Sequence, residues 1–124
     1  MLHGDEWCHI HVCHLHTTTA ERVLDAAGIR EYFDAAVTAE DGCETAEQNY
    51  LVASIKLRRP PMRCVVFEDD PRGVAAAHEA TAKAVAIMGG HYGSDLRHAD
   101  MRIADFGDLS LMSLRELFKD MPPV

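Results

Sequence analysis

The sequence has few basic residues and no long apolar run, and each shortage excludes a class of protein. Its 124 residues carry 12 Lys and Arg against 20 Asp and Glu, a formal net charge of −8. The basic residues are scattered and form no stripe, which argues against nucleic acid as a partner. No apolar run approaches the roughly 18 residues of a membrane-spanning helix, so no membrane association is expected.

The first residues and the cysteines indicate the compartment. Met1–Glu6 lacks the basic start of a signal or transit peptide, so we expect a cytoplasmic protein. Organellar targeting stays open if further residues precede Met1. The four cysteines show no Cys-x-x-Cys spacing, which predicts free thiols in a reducing compartment. The length provides for one small domain with a single core.

Histidine is concentrated near the start of the chain. Residues 8–16 hold four of the eight histidines and two of the four cysteines. Alternate residues of a strand share a face, so His9 and His11 form one pair, and His14 and His16 form a second. Either pair could hold a transition metal. Two other readings stay open: the histidines are the polar side of an ordinary strand, or the segment is an artefact of how the reading frame was chosen.

From there on, short apolar runs alternate with helical patterns. Thr18 and Glu21 have the spacing of a capping box at the start of the first helix. The predicted strands are residues 10–13, 35–38, 64–67, 84–87 and 101–104, and the predicted helices are residues 18–27, 46–57, 71–81 and 111–118. Strands that alternate with helices predict an α/β fold with a doubly wound parallel sheet.

Three consecutive carboxylates follow the third predicted strand. Cys64–Phe67 is apolar without alternation, which predicts a strand buried on both faces. Glu68 and Asp69 come at its carboxyl end, where ligands bind in open α/β sheets. They have the chemistry of half a Mg²⁺ site, although a helix cap at Asp70 and solvated loop acids would explain the same residues.

Two stretches resemble the haloacid dehalogenase-like (HAD) hydrolases, closest to the β-phosphoglucomutase and phosphoglycolate phosphatase group. They are Glu21–Ala35 and Arg63–Ala77, and the likeness extends from about Thr17 to Leu117. The resemblance implies a Rossmann-like core that uses Mg²⁺ and acts on small phosphorylated metabolites. It divides the chain into a His/Cys-rich segment (1–16), an α/β core that corresponds to the C-terminal half of the family's core (17–119) and a tail (120–124).

The resemblance also implies roles for individual residues. Glu68 and Asp69 match the family's metal-binding acids, with Asp69 as the direct ligand. Thr17 is the first hydroxyl after the strand that leads to the family's phosphate-binding Thr or Ser, although the usual loop length points to Cys13. Glu44 stands where the family has a Lys that steadies phosphoryl charge. Lys56 is either its substitute or a solvated surface lysine.

The family's nucleophile has no counterpart, since no Asp-x-Asp pair occurs anywhere in the chain. The cap domain that usually precedes the phosphate-binding motif has no counterpart either. We therefore expect an incomplete core that binds Mg²⁺ weakly, has no catalytic residue of its own and is inactive alone. The alternatives are a non-catalytic α/β domain that binds metal or a partner, and a Cys/His metal-binding module at residues 8–16.

The missing nucleophile strand also affects the sheet. In the family it lies between the strands that correspond to residues 10–13 and 64–67. Without that strand, a gap between the two neighbouring strands would leave their backbone donors and acceptors unpaired. Three outcomes are therefore open. The two strands pair directly, residues 8–15 move into the central position, or a second chain supplies the strand. We expect the second outcome, with Ile10 or Val12 as ladder neighbours of Val65 and Val66.

Overall fold

The computed structural model describes residues 10–12, 16–88 and 96–119 of the chain. The strands are β1 (Ile10–Val12), β2 (Ala35–Val37), β3 (Val65–Glu68), β4 (Lys83–Ile87) and β5 (Met101–Ile103). The helices are α1 (Thr17–Ala26), α2 (Ala46–Leu57), α3 (Pro71–Glu79) and α4 (Leu111–Glu116). Within these residues no helix is long and apolar enough to cross a membrane.

The chain forms two compact units, residues 1–60 and 61–124. In the first, β1 and β2 pair in parallel, and α2 packs against both strands. In the second, β3, β4 and β5 form a parallel sheet in that order, and α3 packs against β3 and β4. Parallel strands joined by helical crossovers confirm the predicted α/β class.

Strand β1 pairs with β2 on one side, with Ile10 in register with Ala35 and Val12 with Val37. The predicted ladder of Ile10 or Val12 with Val65 and Val66 would join the two units and stays a prediction. The short connection through α1 explains the observed partner, because consecutive strands joined by one helical crossover usually lie side by side. Residues 8, 9 and 13–15 of the predicted segment lie outside the described residues.

Burial differs between the strands of the second unit. In β4, Ala84, Val85 and Ala86 are fully buried. In β3, Val65 and Val66 are only half-buried and Phe67 is 37% exposed, so the prediction of a strand buried on both faces is wrong. The strand order of this unit accounts for the difference: β4 has a ladder partner on each side, whereas β3 is paired only with β4 among the described strands of the unit.

Helices α2, α3 and α4 begin where the sequence signals predict, although α3 and α4 end two residues earlier than predicted. Helix α2 begins after Thr45, whose side chain accepts the backbone N–H of Gln48. Gly28, with φ of +72°, ends helix α1 as expected. However, α1 begins at Thr17, one residue earlier than predicted, so the capping box from Thr18 is wrong. The preceding residue, His16, provides no side-chain cap, so the first turn obtains an acceptor from elsewhere in the chain.

The described cysteines, Cys43 and Cys64, are free thiols, as the spacing predicts. Cys8 and Cys13 lie outside the described residues, as does the tail at 120–124.

Candidate functional site

The β3 tip, residues Glu68–Asp70, joins the end of β3 directly to the start of α3. Pro71 is the first residue of α3, where the missing N–H of proline costs no hydrogen bond. Asp70 caps the helix by accepting the backbone N–H of Arg72 at 2.8 Å. The Arg72 guanidinium also donates to Asp70 at 2.8 Å, and this hydrogen bond raises the Arg72 pKa. Asp70 is therefore a helix cap.

The Glu68 carboxylate turns back onto the tip. Its Oε1 accepts the backbone N–H groups of Asp69 at 3.0 Å and Asp70 at 3.3 Å. Gly73, which is buried in the first turns of α3, lies against the same side chain, and a Cβ at Gly73 would overlap Glu68. Glu68 therefore fixes the shape of the tip through the backbone.

Asp69 is the exposed residue of the β3 tip. It follows β3 at the carboxyl end of a parallel sheet, the edge at which such sheets bind ligands. In residues 16–88 and 96–119 no group of three or more His, Cys, Asp or Glu side chains is arranged to hold a metal ion. The exposed carboxylate of the tip still has the chemistry that Mg²⁺ requires, because this cation can be held by one or two carboxylates while water and phosphate supply its other ligands.

The β2 tip, residues Thr38–Asp41, also follows a parallel strand but has no exposed, unoccupied acid like Asp69. Glu40 reaches the start of α1, where its Oε2 accepts the backbone N–H of Thr17 at 2.7 Å and the Thr17 hydroxyl at 2.8 Å. Its Oε1 lies 3.0 Å from Nδ1 of His16. Glu40 is thus the acceptor that replaces the absent local cap of α1.

The two threonine hydroxyls form a chain that ends on Glu40. Thr38 Oγ1 lies 2.7 Å from Thr17 Oγ1 and 3.1 Å from Glu40 Oε2. Two hydroxyl protons cannot fill all three contacts of this triangle. The shorter contacts favour Thr38 donating to Thr17 and Thr17 donating to Glu40, an arrangement in which each hydrogen bond strengthens the next.

These contacts change the acid–base properties of Glu40. Hydrogen bonds from the Thr17 hydroxyl, the Thr17 backbone N–H and His16 stabilise the carboxylate and lower the Glu40 pKa to about 2. Burial opposes the shift but is outweighed by the two hydrogen bonds from Thr17. Glu40 is therefore an anion at neutral pH, and it accepts hydrogen bonds from the backbone N–H and the hydroxyl of Thr17.

Asp41 is also held in place, by an ion pair and a hydrogen bond. Lys56 Nζ lies 2.8 Å from Asp41 Oδ1 and donates to the carbonyl oxygen of Ala36 at 2.7 Å. The hydrogen bond from Lys56, followed by that from the Thr38 backbone N–H, lowers the Asp41 pKa. Lys56 is therefore an exposed lysine that neutralises Asp41 and donates to a strand carbonyl.

The predicted residues divide between the two units. Thr17 lies at the start of α1 with its donors on Glu40, and Glu68 and Asp69 lie at the β3 tip. Glu44 is exposed, and its N–H donates to the Gln48 side chain. The backbone of His11 is described within β1, whereas His9, Cys13 and His14 lie outside the described residues.

Sequence reasoning missed two contacts, of Glu40 with Thr17 and of Gly73 with Glu68. The acidic turn at residues 40–42 and the glycine after Pro71 were visible signals. Neither signal names a partner, since Glu40 and Thr17 are 23 residues apart and meet only because β1 and β2 are paired.

Comparisons with known proteins find phosphatases among the relatives of this chain. No protein-family model matches the chain. It is 30% identical over 102 residues to the chloroplastic 5-amino-6-(5-phospho-D-ribitylamino)uracil phosphatase of Arabidopsis thaliana, a match that covers 80% of this chain and 27% of that protein. It is 37% identical over 70 residues to fructose-1-phosphate phosphatase YqaB of Escherichia coli (strain K12), covering 55% of this chain and 37% of that protein.

A solved structure shows the same fold. The β-phosphoglucomutase of Clostridium difficile matches with a TM-score of 0.71 at 22% identity, covering 82% of this chain and 45% of that chain. The fold is an α/β core with acidic residues at the ends of two parallel strands. The chain belongs to the HAD-like hydrolase superfamily, in its β-phosphoglucomutase and phosphatase-like branch. It spans only 27% and 37% of the lengths of these two curated relatives.

Proposed function

We propose that this chain is the Mg²⁺-binding part of a phosphatase or phosphomutase core that acts on a small phosphorylated metabolite. One observation supports this above the others: Asp69 is an exposed carboxylate at the carboxyl end of β3, in a chain whose curated relatives are phosphatases. A cation there would have room for the water and phosphate oxygens that Mg²⁺ prefers.

The two acids of the β3 tip have different roles in this proposal. Asp69 binds Mg²⁺ directly, and Glu68 holds the Asp69 and Asp70 N–H groups so that the tip keeps its shape. When bound, Mg²⁺ would supply neutralisation of phosphoryl charge. Thr17 is the proposed phosphate-binding residue, through its backbone N–H and hydroxyl.

The chain alone is proposed to be inactive. It contains no Asp-x-Asp pair, and Glu44 places negative charge where the family has an ammonium group. In this proposal a second chain can supply the missing strand, residues 17–119 form the C-terminal half of the family's core, and the protein is cytoplasmic. Binding of Mg²⁺ by two adjacent acids without further protein ligands is expected to be weak.

A non-catalytic domain is the second candidate, and the β2 tip favours it. The donors of Thr17 are occupied by Glu40, and Lys56 is paired with Asp41. If Thr17 and Lys56 both have structural roles, the chain can keep the fold and a metal-binding acid and yet catalyse no reaction.

Calorimetric titration with Mg²⁺ and a phosphatase assay test the proposal together. We expect weak Mg²⁺ binding by the wild type, none by Asp69→Asn, and no hydrolysis of aryl phosphates or small sugar phosphates by either. Glu79→Gln is the matched control, since it removes one charge from an exposed acid of the same unit and should bind Mg²⁺ like the wild type.

Equal binding by the wild type and Asp69→Asn would show that the metal site is misplaced. Hydrolysis by the wild type that is lost in Asp69→Asn would overturn the proposed inactivity and the non-catalytic candidate, and would retain the metal site.

A further inference from the structure

Glu40 occupies the donors that a phosphate oxygen would need at the start of α1. One carboxylate oxygen takes both the backbone N–H and the hydroxyl of Thr17, at 2.7 and 2.8 Å. The other oxygen faces Nδ1 of His16 at 3.0 Å. A tetrahedral oxyanion bound by the same groups would require the same short, charge-assisted contacts.

We propose that Glu40 is an autoinhibitory contact, which must leave Thr17 before the Thr17 N–H and hydroxyl can bind a phosphate group. This inference rests on the proposed phosphate-binding role of Thr17. It adds a regulatory contact to that role, namely a built-in anion that competes with the ligand.

The competition follows from charge and tethering. Two anions cannot share one N–H and one hydroxyl donor without strong repulsion, so phosphate and Glu40 exclude each other. Glu40 is held close by the chain, and a tethered group acts at an effective concentration on the order of millimolar or higher. Free phosphate at lower concentration therefore binds Thr17 poorly while Glu40 is in place.

The structure allows Glu40 to leave without unfolding the β2 tip. The Glu40 side chain is 53% exposed, so a change of rotamer can release it into water. The tip itself remains fixed, because Thr38 N–H donates to Asp41 at 2.8 Å and Lys56 holds the same carboxylate. Thr38 is only 5% exposed, and its hydroxyl can continue to donate to Thr17 Oγ1 when Glu40 has gone, which leaves the Thr17 hydroxyl proton for phosphate.

Inorganic phosphate is the probe for the test, followed on the full chain through the backbone amide signal of Thr17 in NMR spectra. We expect Glu40→Ala to respond at phosphate concentrations at least about tenfold lower than the wild type, since one charge-assisted hydrogen bond is of that order. Thr17→Val in the Glu40→Ala background should weaken the response. Glu31→Gln, an exposed acid of the same unit, is the matched control and should behave as the wild type does.

Glu40→Gln is the second variant if Glu40→Ala loses its dispersed spectrum, because it keeps an acceptor oxygen and removes only the charge. A response at equal phosphate concentration in the wild type and both variants would overturn the autoinhibitory contact and leave the role of Thr17 intact. No response at Thr17 in any variant, with Asp69-dependent Mg²⁺ binding preserved, would overturn both the contact and the role of Thr17.

Discussion

The β2 and β3 tips carry similar acidic residues, but these residues make different contacts at the two tips. Each has a glutamate followed by an aspartate at or near the carboxyl end of a parallel strand. At the β2 tip, Glu40 is seated on Thr17 and Asp41 is paired with Lys56. At the β3 tip, Glu68 is held by backbone N–H groups and Asp69 is exposed.

The difference shows that an acidic pair at a strand end is not by itself a ligand site. What decides is whether hydroxyls, helix donors or a lysine lie within reach, because each of them neutralises or occupies a carboxylate. The β2 tip has Thr17 and Lys56 as such neighbours. At the β3 tip, Arg72 pairs with Asp70 and backbone N–H groups hold Glu68, whereas Asp69 is exposed.

The largest effect is expected from Gly73→Ala, which breaks the restraint on the β3 tip. The new methyl group would overlap Glu68 and displace it, at a cost of about 1–3 kcal/mol in unfolding free energy. Urea unfolding measures this cost. In the Glu68→Ala background the cost should vanish, since Ala is otherwise better than Gly inside a helix. A cost that is the same in both backgrounds would contradict the contact.

Lys56→Met should cost less, about 1 kcal/mol, because it removes a partly buried ion pair together with a hydrogen bond to a backbone carbonyl. Lys119→Met is the matched control, since the pair of Lys119 with Glu116 is well exposed and should contribute almost nothing. Chemical denaturation of both variants makes the comparison. Equal costs would mean that Lys56 is an ordinary surface lysine.

The smallest effect on stability belongs to Glu40, whose titration sharpens the contrast between the tips. Its pKa is lowered from 4.5 to about 2, so its stabilising contribution is fully present above pH 4.5 and is lost as the pH falls towards 2. Side-chain carboxyl NMR signals should titrate accordingly. Thr17→Val removes the largest cause and should move the pKa up, whereas an unchanged pKa would contradict the hydroxyl contact.

Local sequence signals predicted much of the fold. Helix α2 was predicted at its observed bounds, and β4 and the strand–acid–helix unit at Glu68–Pro71 are where apolar runs and cap residues place them. The errors involve partners distant in sequence. The first turn of α1 uses Glu40 in place of a local cap, and Lys56 pairs with Asp41.

Such contacts could not be predicted because they depend on which strands pair. Thr18 had correct capping spacing, yet α1 starts one residue earlier and uses an acceptor that β2 brings alongside. The roles of Glu68 and Asp69 likewise look alike in the sequence. Only the position of Gly73, which lets Glu68 fold back, separates a structural acid from an exposed one.

Paramagnetic broadening by Mn²⁺, used in place of Mg²⁺, tests most directly whether the two tips differ as proposed. Mn²⁺ added to the isotopically labelled chain should broaden the amide signals of residues 69–73 first and leave those of residues 38–41 sharp. The broadening at the β3 tip should disappear in Asp69→Asn and persist in Glu79→Gln. Broadening that is centred on Glu40 and Asp41, or that survives Asp69→Asn unchanged, would contradict the assignment of the metal to Asp69.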